Sequence, residues 1–175
     1  MDWTLRRLEP GQARPAFDCG DDDLNEFFAK DSVKSGRELL SVTYVAEIGE
    51  EVVAFFSLSN DALRRNDTTR SRITRILKRV PREKRYPSMP AVKIGRLATC
   101  IARRRNNIGT ELLDYLKFWF THGNKTGCRF IIVDAYNIPR TIGFYRKNGF
   151  DFLVSGDEED KTRLMYFDLI TFAPR

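Results

Sequence analysis

Histidine is almost missing from this sequence. His122 is the single one, and the three cysteines, Cys19, Cys100 and Cys128, lie far apart with no C-x-x-C pair. Structural zinc needs clustered Cys and His, and a disulfide framework needs paired cysteines, so neither is expected and no metal is assigned. The thiols read as reduced and partly buried. Long apolar runs are missing as well, and nothing approaches the roughly 18 residues of a membrane span. Residues 1–10 alternate polar and apolar side chains and lack the apolar centre of a secretory signal, which predicts a cytoplasmic protein with no membrane partner. Repeats and low-complexity tracts are absent. What is present is 42% hydrophobic and 31% charged residues in a chain of 175, enough for one soluble domain with a core of its own.

Charge is the first positive feature. The net charge is +6, but residues 64–85 hold ten Lys or Arg against Asp67 and Glu83, a local +8, which leaves −2 for the rest. The basicity therefore belongs to one segment. One reading is the solvated face of an amphipathic helix. The other is a footprint for a phosphate backbone, which carries salt-sensitive affinity without sequence information. Tyr86 is the only aromatic near the segment, so base stacking on a single strand is not indicated, and a double-stranded RNA stem fits better.

Hydrophobic periodicity predicts an α/β domain with a mixed sheet. Residues 3–8 alternate as a strand. One of Asp21, Asp22 or Asp23 caps a helix through Lys30, with Leu24, Phe27 and Phe28 facing inward. Residues 41–47 and 52–59 form a hairpin about Gly49-Glu50. Residues 67–80 form an amphipathic helix with Ile73, Ile76, Leu77 and Val80 on its apolar stripe, ended by Pro81. Taken with its flanks, this is a basic helical insertion at about 61–86. Residues 91–100 form a central strand. A long helix follows with Ile108, Leu112, Leu113, Leu116, Trp119 and Phe120 on one face, stopping near Gly123. Residues 129–135 are apolar enough for a strand buried on both faces. Pro139 opens a helix that runs past Tyr145 and stops at Gly149. Residues 150–154 and 163–169 are the last strands, separated by the acidic loop 156–160.

Function is written in the stretch RLATCIARRRNNIGTELLDYL. A strand, a short Arg/Asn turn and a helix leave unpaired amides at the positive end of a helix, which suits a phosphate or pyrophosphate. Gly109 permits close backbone approach. Alone this pattern is weak, because an ordinary strand-to-helix turn with solvated arginines looks the same. About forty residues on stands a second element, IGFYRKNGFDFL.

Together the two elements resemble the GCN5-related N-acetyltransferase (GNAT) family. The family signature Gln/Arg-x-x-Gly-x-Gly/Ala falls on Arg104-Arg105-Asn106-Asn107-Ile108-Gly109, and its Phe-Tyr and Gly-Phe pairs fall on Phe144-Tyr145 and Gly149-Phe150. The resemblance implies a single-domain, mostly antiparallel mixed central sheet flanked by helices, and acetyl-CoA as acetyl donor. Two positions depart from the pattern. Asn107 stands where the family has its first glycine, although Asn tolerates left-handed backbone angles. The family asparagine seven residues before the tyrosine falls on Ile138 here, with Asn137 one place earlier. The order of FDCGDDDLNEFF, TYVAE, IGRLAT and FYRKNGF is similar to that of the acetyltransferase toxins of bacterial toxin–antitoxin pairs, in which the substrate is the α-amine of aminoacyl-tRNA.

The resemblance assigns roles residue by residue. Backbone amides from Arg104, Arg105, Asn106, Asn107, Ile108 and Gly109, with Thr110, hold the pyrophosphate. Leu97, Ala98 and Thr99 pair with the pantetheine arm, and an amide of that strand polarises the thioester carbonyl. Asn137 is the candidate for the family's cofactor asparagine. Tyr145 protonates the departing thiolate, whereas periodicity alone reads it as a core aromatic beside Phe144. Arg96, Arg72, Arg75 and Arg79 are the candidate substrate contacts. His122, near the end of the long helix, reads as a surface or C-terminal capping residue. With no general base in view, an α-amine of pKa about 8 is favoured over a lysine at about 10.4. The implied partners are acetyl-CoA, charged tRNA and an antitoxin protein. Dimers are common in the family, and the sequence leaves a homodimer open. Two further readings stay open: an acetyltransferase for a small amine or a protein N-terminus, and a basic RNA-binding module that has lost catalysis.

Overall fold

The computed structural model describes residues 2–64, 68–81, 86–124, 126–154 and 156–173. Contacts divide the chain into two compact units, Met1–Ser59 with Ile94–Tyr115, and Asn60–Lys93 with Leu116–Arg175.

The first unit begins with β1 (Thr4–Leu8), antiparallel to β2 (Val42–Ile48), which is antiparallel to β3 (Glu51–Arg64). Gly49 makes the intervening turn at φ 60, an angle that glycine takes without a Cβ penalty. Between β1 and β2 lies the helical segment opened by Asp21, whose side chain accepts from the Leu24 amide. It runs as α1 (Asp22–Glu26), a π-helical stretch at Phe27–Asp31 and α2 (Ser32–Arg37). The sequence stopped this helix at Lys30. It continues through Arg37, and the buried Ser32 hydroxyl is satisfied inside the segment by donating to the Phe28 carbonyl. Phe28 is buried, and Leu24 and Phe27 pack against the same cluster as Val45 and Phe55.

In the second unit, α3 (Arg70–Ile76) and a 3-10 turn at Leu77–Arg79 bury Ile73, Ile76, Leu77 and Val80 against Leu63, Phe130 and Leu153. The apolar stripe is the expected one. The helix starts three residues later than expected because Thr69 takes the cap, its hydroxyl accepting from the Arg72 amide; residue 67 lies outside the described residues. Residues 61–64 are strand, the end of β3, so helix within the basic segment is confined to 70–79 among the described residues. β5 (Phe130–Tyr136) is antiparallel to β7 (Thr162–Asp168), which pairs with the two-residue β6 (Asp151–Phe152). Phe130, Ile131, Ile132 and Val133 are all under 5% exposed, as a doubly covered strand requires. α5 (Pro139–Lys147) has Pro139 in its first turn and ends before Gly149 at φ 85.

β3, from Asn60 on, β4 (Ser88–Thr99) and α4 (Ile108–Thr121) contribute residues to both units. The seven strands share one sheet in the order β1-β2-β3-β4-β5-β7-β6, with β4 in the middle. The fold class is α/β with a mixed, mostly antiparallel sheet flanked by helices, as expected. β6 is shorter than the five residues expected. Beyond it the Leu153 carbonyl accepts from Thr68, while the Phe152 carbonyl accepts from the Arg72 guanidinium. The edge of the sheet is thus closed by side chains rather than by another strand.

Candidate active site

The pyrophosphate loop predicted from the sequence is a left-handed turn. A 3-10 turn at Ile101–Arg103 follows β4, then Arg105 and Asn107 adopt φ 70 and φ 63 before α4 begins at Ile108. Amides of Arg103, Arg104 and Asn106 bond within the turn, to Cys100, Ile101 and Arg103. Those of Ile108 and Gly109 open α4, where a helix offers no i−4 acceptor. That end carries about half a positive charge. Asn107 has the angle its residue type tolerates. Arg105 has it too, which the sequence did not signal.

The loop's arginines do not all face outward. Arg103 pairs with Glu51 at 2.6 Å, and the Arg104 guanidinium donates to the Cys19 carbonyl. The Ile101 amide donates to the Asp18 carbonyl at 2.9 Å, so the turn after β4 rests on the 18–20 turn. Asp18 accepts from the Gly20 amide at 2.7 Å and from Asn25 at 2.9 Å, and these bonds hold its carboxyl below the usual carboxylate range. The side chains of Arg105, Asn106 and Asn107 are exposed. The Arg104 amide is bonded to the Ile101 carbonyl, so any part Arg104 has toward a phosphate falls to the remaining N–H groups of its guanidinium.

On β4, Ala98 is buried while Leu97 and Thr99 are half-buried. Arg96, next along the strand, stacks over the Phe27 ring at 5.1 Å and sends Nη1 to the Gly95 carbonyl. Its Nε is buried without a hydrogen-bond acceptor, 3.8 Å from the Asp23 carboxylate.

In the second unit, Tyr145 sits in an aromatic cluster. Its ring meets Phe144 and Phe150 edge-on at 5.1 Å and 5.3 Å, and the residue is 6% exposed. Burial pushes its phenol well above the ordinary value, so it stays protonated throughout the neutral range. Tyr145 packs as the core aromatic that periodicity reads, and its phenol is in the protonated form that the proton-donor reading requires. Asn137 ends β5. Both hydrogens of its amide point at backbone carbonyls, Glu158 at 2.8 Å and Asp160 at 3.0 Å, so its donors are already used. His122 is exposed, stacks on Phe118 at 4.2 Å, and lies 3.1 Å from the Phe118 carbonyl through Nδ1, a capping position at the end of α4.

The basic segment is heterogeneous. Arg72 is half-buried and tied to Phe152, Arg75 is exposed, and the Arg79 side chain lies outside the described ones. The sequence reading missed Asp157, which is 7% exposed and receives Arg163 at 2.6 Å and the Leu164 amide at 2.8 Å. Within a run of four acids it looked like one more solvated charge. The six-residue spacing to Arg163 was the available signal. Among the described residues there is no group of three or more His, Cys, Asp or Glu able to hold a metal, and no helix long and apolar enough to cross a membrane.

The sequence profile of the acetyltransferase (GNAT) family matches residues 5–150. The chain belongs to the acetyltransferase (GNAT) family. A comparison with curated proteins gives no match. Among solved structures, AtaT complexed with acetyl-methionyl-tRNAfMet superposes with a TM-score of 0.78 at 21% identity, over 98% of this chain and 97% of that one. A tyrosine-to-phenylalanine mutant of KacT gives 0.77 at 20% over 98% and 97%. A tyrosine-to-phenylalanine mutant of the toxin AtaT bound to the C-terminus of the antitoxin AtaR and acetyl-CoA gives 0.72 at 19% over 98% and 96%. At these identities the likeness is one of fold.

Proposed function

We propose that this protein moves the acetyl group of acetyl-CoA to the α-amine of an aminoacyl-tRNA in the cytoplasm. The observation that carries the reading is the left-handed turn at Arg105 and Asn107, which opens α4 where the family signature falls. Support for the acceptor comes from the local +8 of residues 64–85 and from the fold shared with AtaT, which has been captured with an acetylated aminoacyl-tRNA. An antitoxin that covers the basic surface is the protein partner this reading calls for, as AtaR binds AtaT.

Acetyl-CoA supplies the activated acyl group. The amides of Arg105, Asn107, Ile108 and Gly109 bind its pyrophosphate, those of Arg104 and Asn106 being bonded within the turn, and the Leu97–Thr99 backbone aligns the pantetheine and polarises the thioester carbonyl. The neutral amine forms the new N–C bond, and the C–S bond breaks. Tyr145 gives its phenolic proton to the sulfur, the amine loses a proton to solvent, and the phenolate takes one back from solvent. Burial keeps Tyr145 in the donor form but makes it a weaker acid than a thiol of pKa about 8.5. Its contribution therefore falls near the lower end of general-acid effects, about 10²-fold. Arg96 and Arg75 are the candidate contacts to acceptor phosphates.

The test is transfer of labelled acetyl to charged tRNA, beside uncharged tRNA and a panel of small amines and peptides, at low and high salt. Label on charged tRNA alone, lost at high salt, supports the proposal. Label on small amines or peptide N-termini alone refutes the tRNA assignment. RNA binding without acetyl transfer, unchanged in Tyr145→Phe, refutes the enzymatic one.

A further inference from the structure

The helix that presents Tyr145 begins badly. Its N-cap residue is Ile138, which has no side-chain acceptor for the first-turn amides, and no side-chain cap bond forms. Apolar residues are among the poorest at that position. α5 is nine residues long, a length that does not hold in water by propensity alone. Its far end is well fastened: the Tyr145 carbonyl accepts from the Asn148 and Phe150 amides at 3.1 Å and 3.0 Å, and the Asn148 side chain donates to the Phe144 carbonyl. The near end needs another anchor.

Asn137, immediately before the cap, provides three bonds in one direction. Its side-chain amide reaches the carbonyls of Glu158 and Asp160, and its backbone amide reaches the Lys161 carbonyl at 2.9 Å. The loop that receives them is itself fixed. Asp157 at its start is buried, clamped to Arg163 and to the Leu164 amide, and Arg163 lies against the Phe152 ring at 4.1 Å. A continuous set of contacts thus runs from the Arg163–Asp157 pair through the acidic loop to Asn137, and from there into α5. Because both amide hydrogens are engaged, Asn137 has no donor left for a cofactor.

We propose that Asn137 is a positioning residue: it clasps the 157–161 loop to the start of α5 and so fixes the helix that carries Tyr145. The inference rests on the reading of Tyr145 as proton donor. It replaces the expectation that Asn137 touches acetyl-CoA. The clasp acts on the placement of the phenol, so it affects turnover and leaves cofactor affinity alone.

The experiment uses the full chain and two variants, Asn137→Ala and the nearly isosteric Asn137→Asp, whose carboxylate keeps the volume but cannot donate. Three quantities are measured: acetyl-CoA Kd by calorimetry, kcat and KM for acetyl transfer to charged tRNA, and amide exchange over residues 138–147 and 156–161. Each variant is expected to lower kcat about tenfold with acetyl-CoA Kd within about twofold, and to speed exchange at least tenfold in the loop and at the start of α5. In a Tyr145→Phe background the same substitutions should cost less than about twofold, because no proton remains to be placed. A tenfold weaker acetyl-CoA Kd with unchanged exchange would overturn the proposal in favour of a cofactor contact. An equal loss of kcat in both backgrounds would overturn it in favour of general loosening. Wild-type turnover by Tyr145→Phe itself would sink the proton-donor reading, and the clasp would then stand or fall on the exchange data.

Discussion

Substituting glycine at the two left-handed positions of the cofactor loop separates backbone strain from binding. A left-handed angle costs an ordinary residue roughly 1–2 kcal/mol, and Asn much less because its short polar side chain suits that region. Glycine removes the strain but adds roughly 0.5–1 kcal/mol of unfolded-state entropy. Arg105 is at φ 70 with an exposed side chain, so Arg105→Gly is expected to gain about 0.5–1 kcal/mol. For a chain of this size that raises Tm by about 1–4 °C. Asn107 at φ 63 has little strain to release, and Asn107→Gly should be neutral or slightly destabilising. The second result bears on function. If Asn107 already holds the turn in the shape the family achieves with glycine, Asn107→Gly will not improve acetyl-CoA binding, and Kd should stay within about threefold. The assays are thermal melts followed by circular dichroism and calorimetric titration with acetyl-CoA. A gain above about 1 kcal/mol for Asn107→Gly, with none for Arg105→Gly, would refute the strain argument. A tenfold tighter Kd for Asn107→Gly would show instead that asparagine holds the loop in the wrong shape.

Asp157→Asn leaves the Arg163 guanidinium with only the exposed Glu158 at 4.0 Å as a counter-charge, which should cost about 3 kcal/mol by chemical denaturation; a loss under about 1 kcal/mol would mean that the pair is solvated. Ile76→Ala should cost about 2–5 kcal/mol in the same assay, because Ile76 is 5% exposed in the second unit's core. Alkali should destabilise the fold from about pH 9. Burial raises Cys128 from 9.0 to about 11, and it also raises Tyr145, Tyr44 and Tyr166 above 10.0. Raised pKa values mean that the unfolded chain loses these protons first, so the stability they provide is intact below pH 9 and is lost as pH climbs through the folded values. Cys128→Ala should flatten the fall of Tm between pH 9 and 11, and an unchanged curve would contradict burial of that thiol.

Much of the architecture was legible because burial repeats with the period of the element. The stripe of Ile73, Ile76, Leu77 and Val80, the apolar run of β5 and the Pro139–Gly149 punctuation each mark one element and its face. The places that went unread involve partners distant in sequence. The end of β3 lies past the strand that alternation marks at 52–59, and residues 61–64 read as part of a helical insertion. β6 is cut to two residues by Thr68 and Arg72, eighty or more positions away. At the site, residue types announced the loop and the tyrosine. They could not announce where a guanidinium or an amide would be spent, which is why Arg104, Arg72 and Asn137 were assigned to ligands and are found bonded to carbonyls of the chain itself.

Bonding to a carbonyl and bonding to a carboxylate differ in what they leave outside. Arg103, Arg129 and Arg163 pair with Glu51, Asp168 and Asp157, so each cancels its charge at short range. Arg72 and Arg104 are bonded to neutral carbonyls and keep theirs. A guanidinium can therefore close a sheet edge and still add to the field that steers a polyanion. Arg72 and Arg75 should separate on this ground. Arg75→Met removes an exposed charge and is expected to weaken tRNA binding and reduce its salt dependence by about one counterion, with stability within about 0.5 kcal/mol. Arg72→Met removes the same charge and also the bond to Phe152, so it should reduce the salt dependence similarly while costing about 1–2 kcal/mol of stability. Equal stability for the two variants would mean that the Arg72 bond does not hold the edge. Equal salt slopes for both variants and the parent would mean that the basic segment is an ordinary solvated surface.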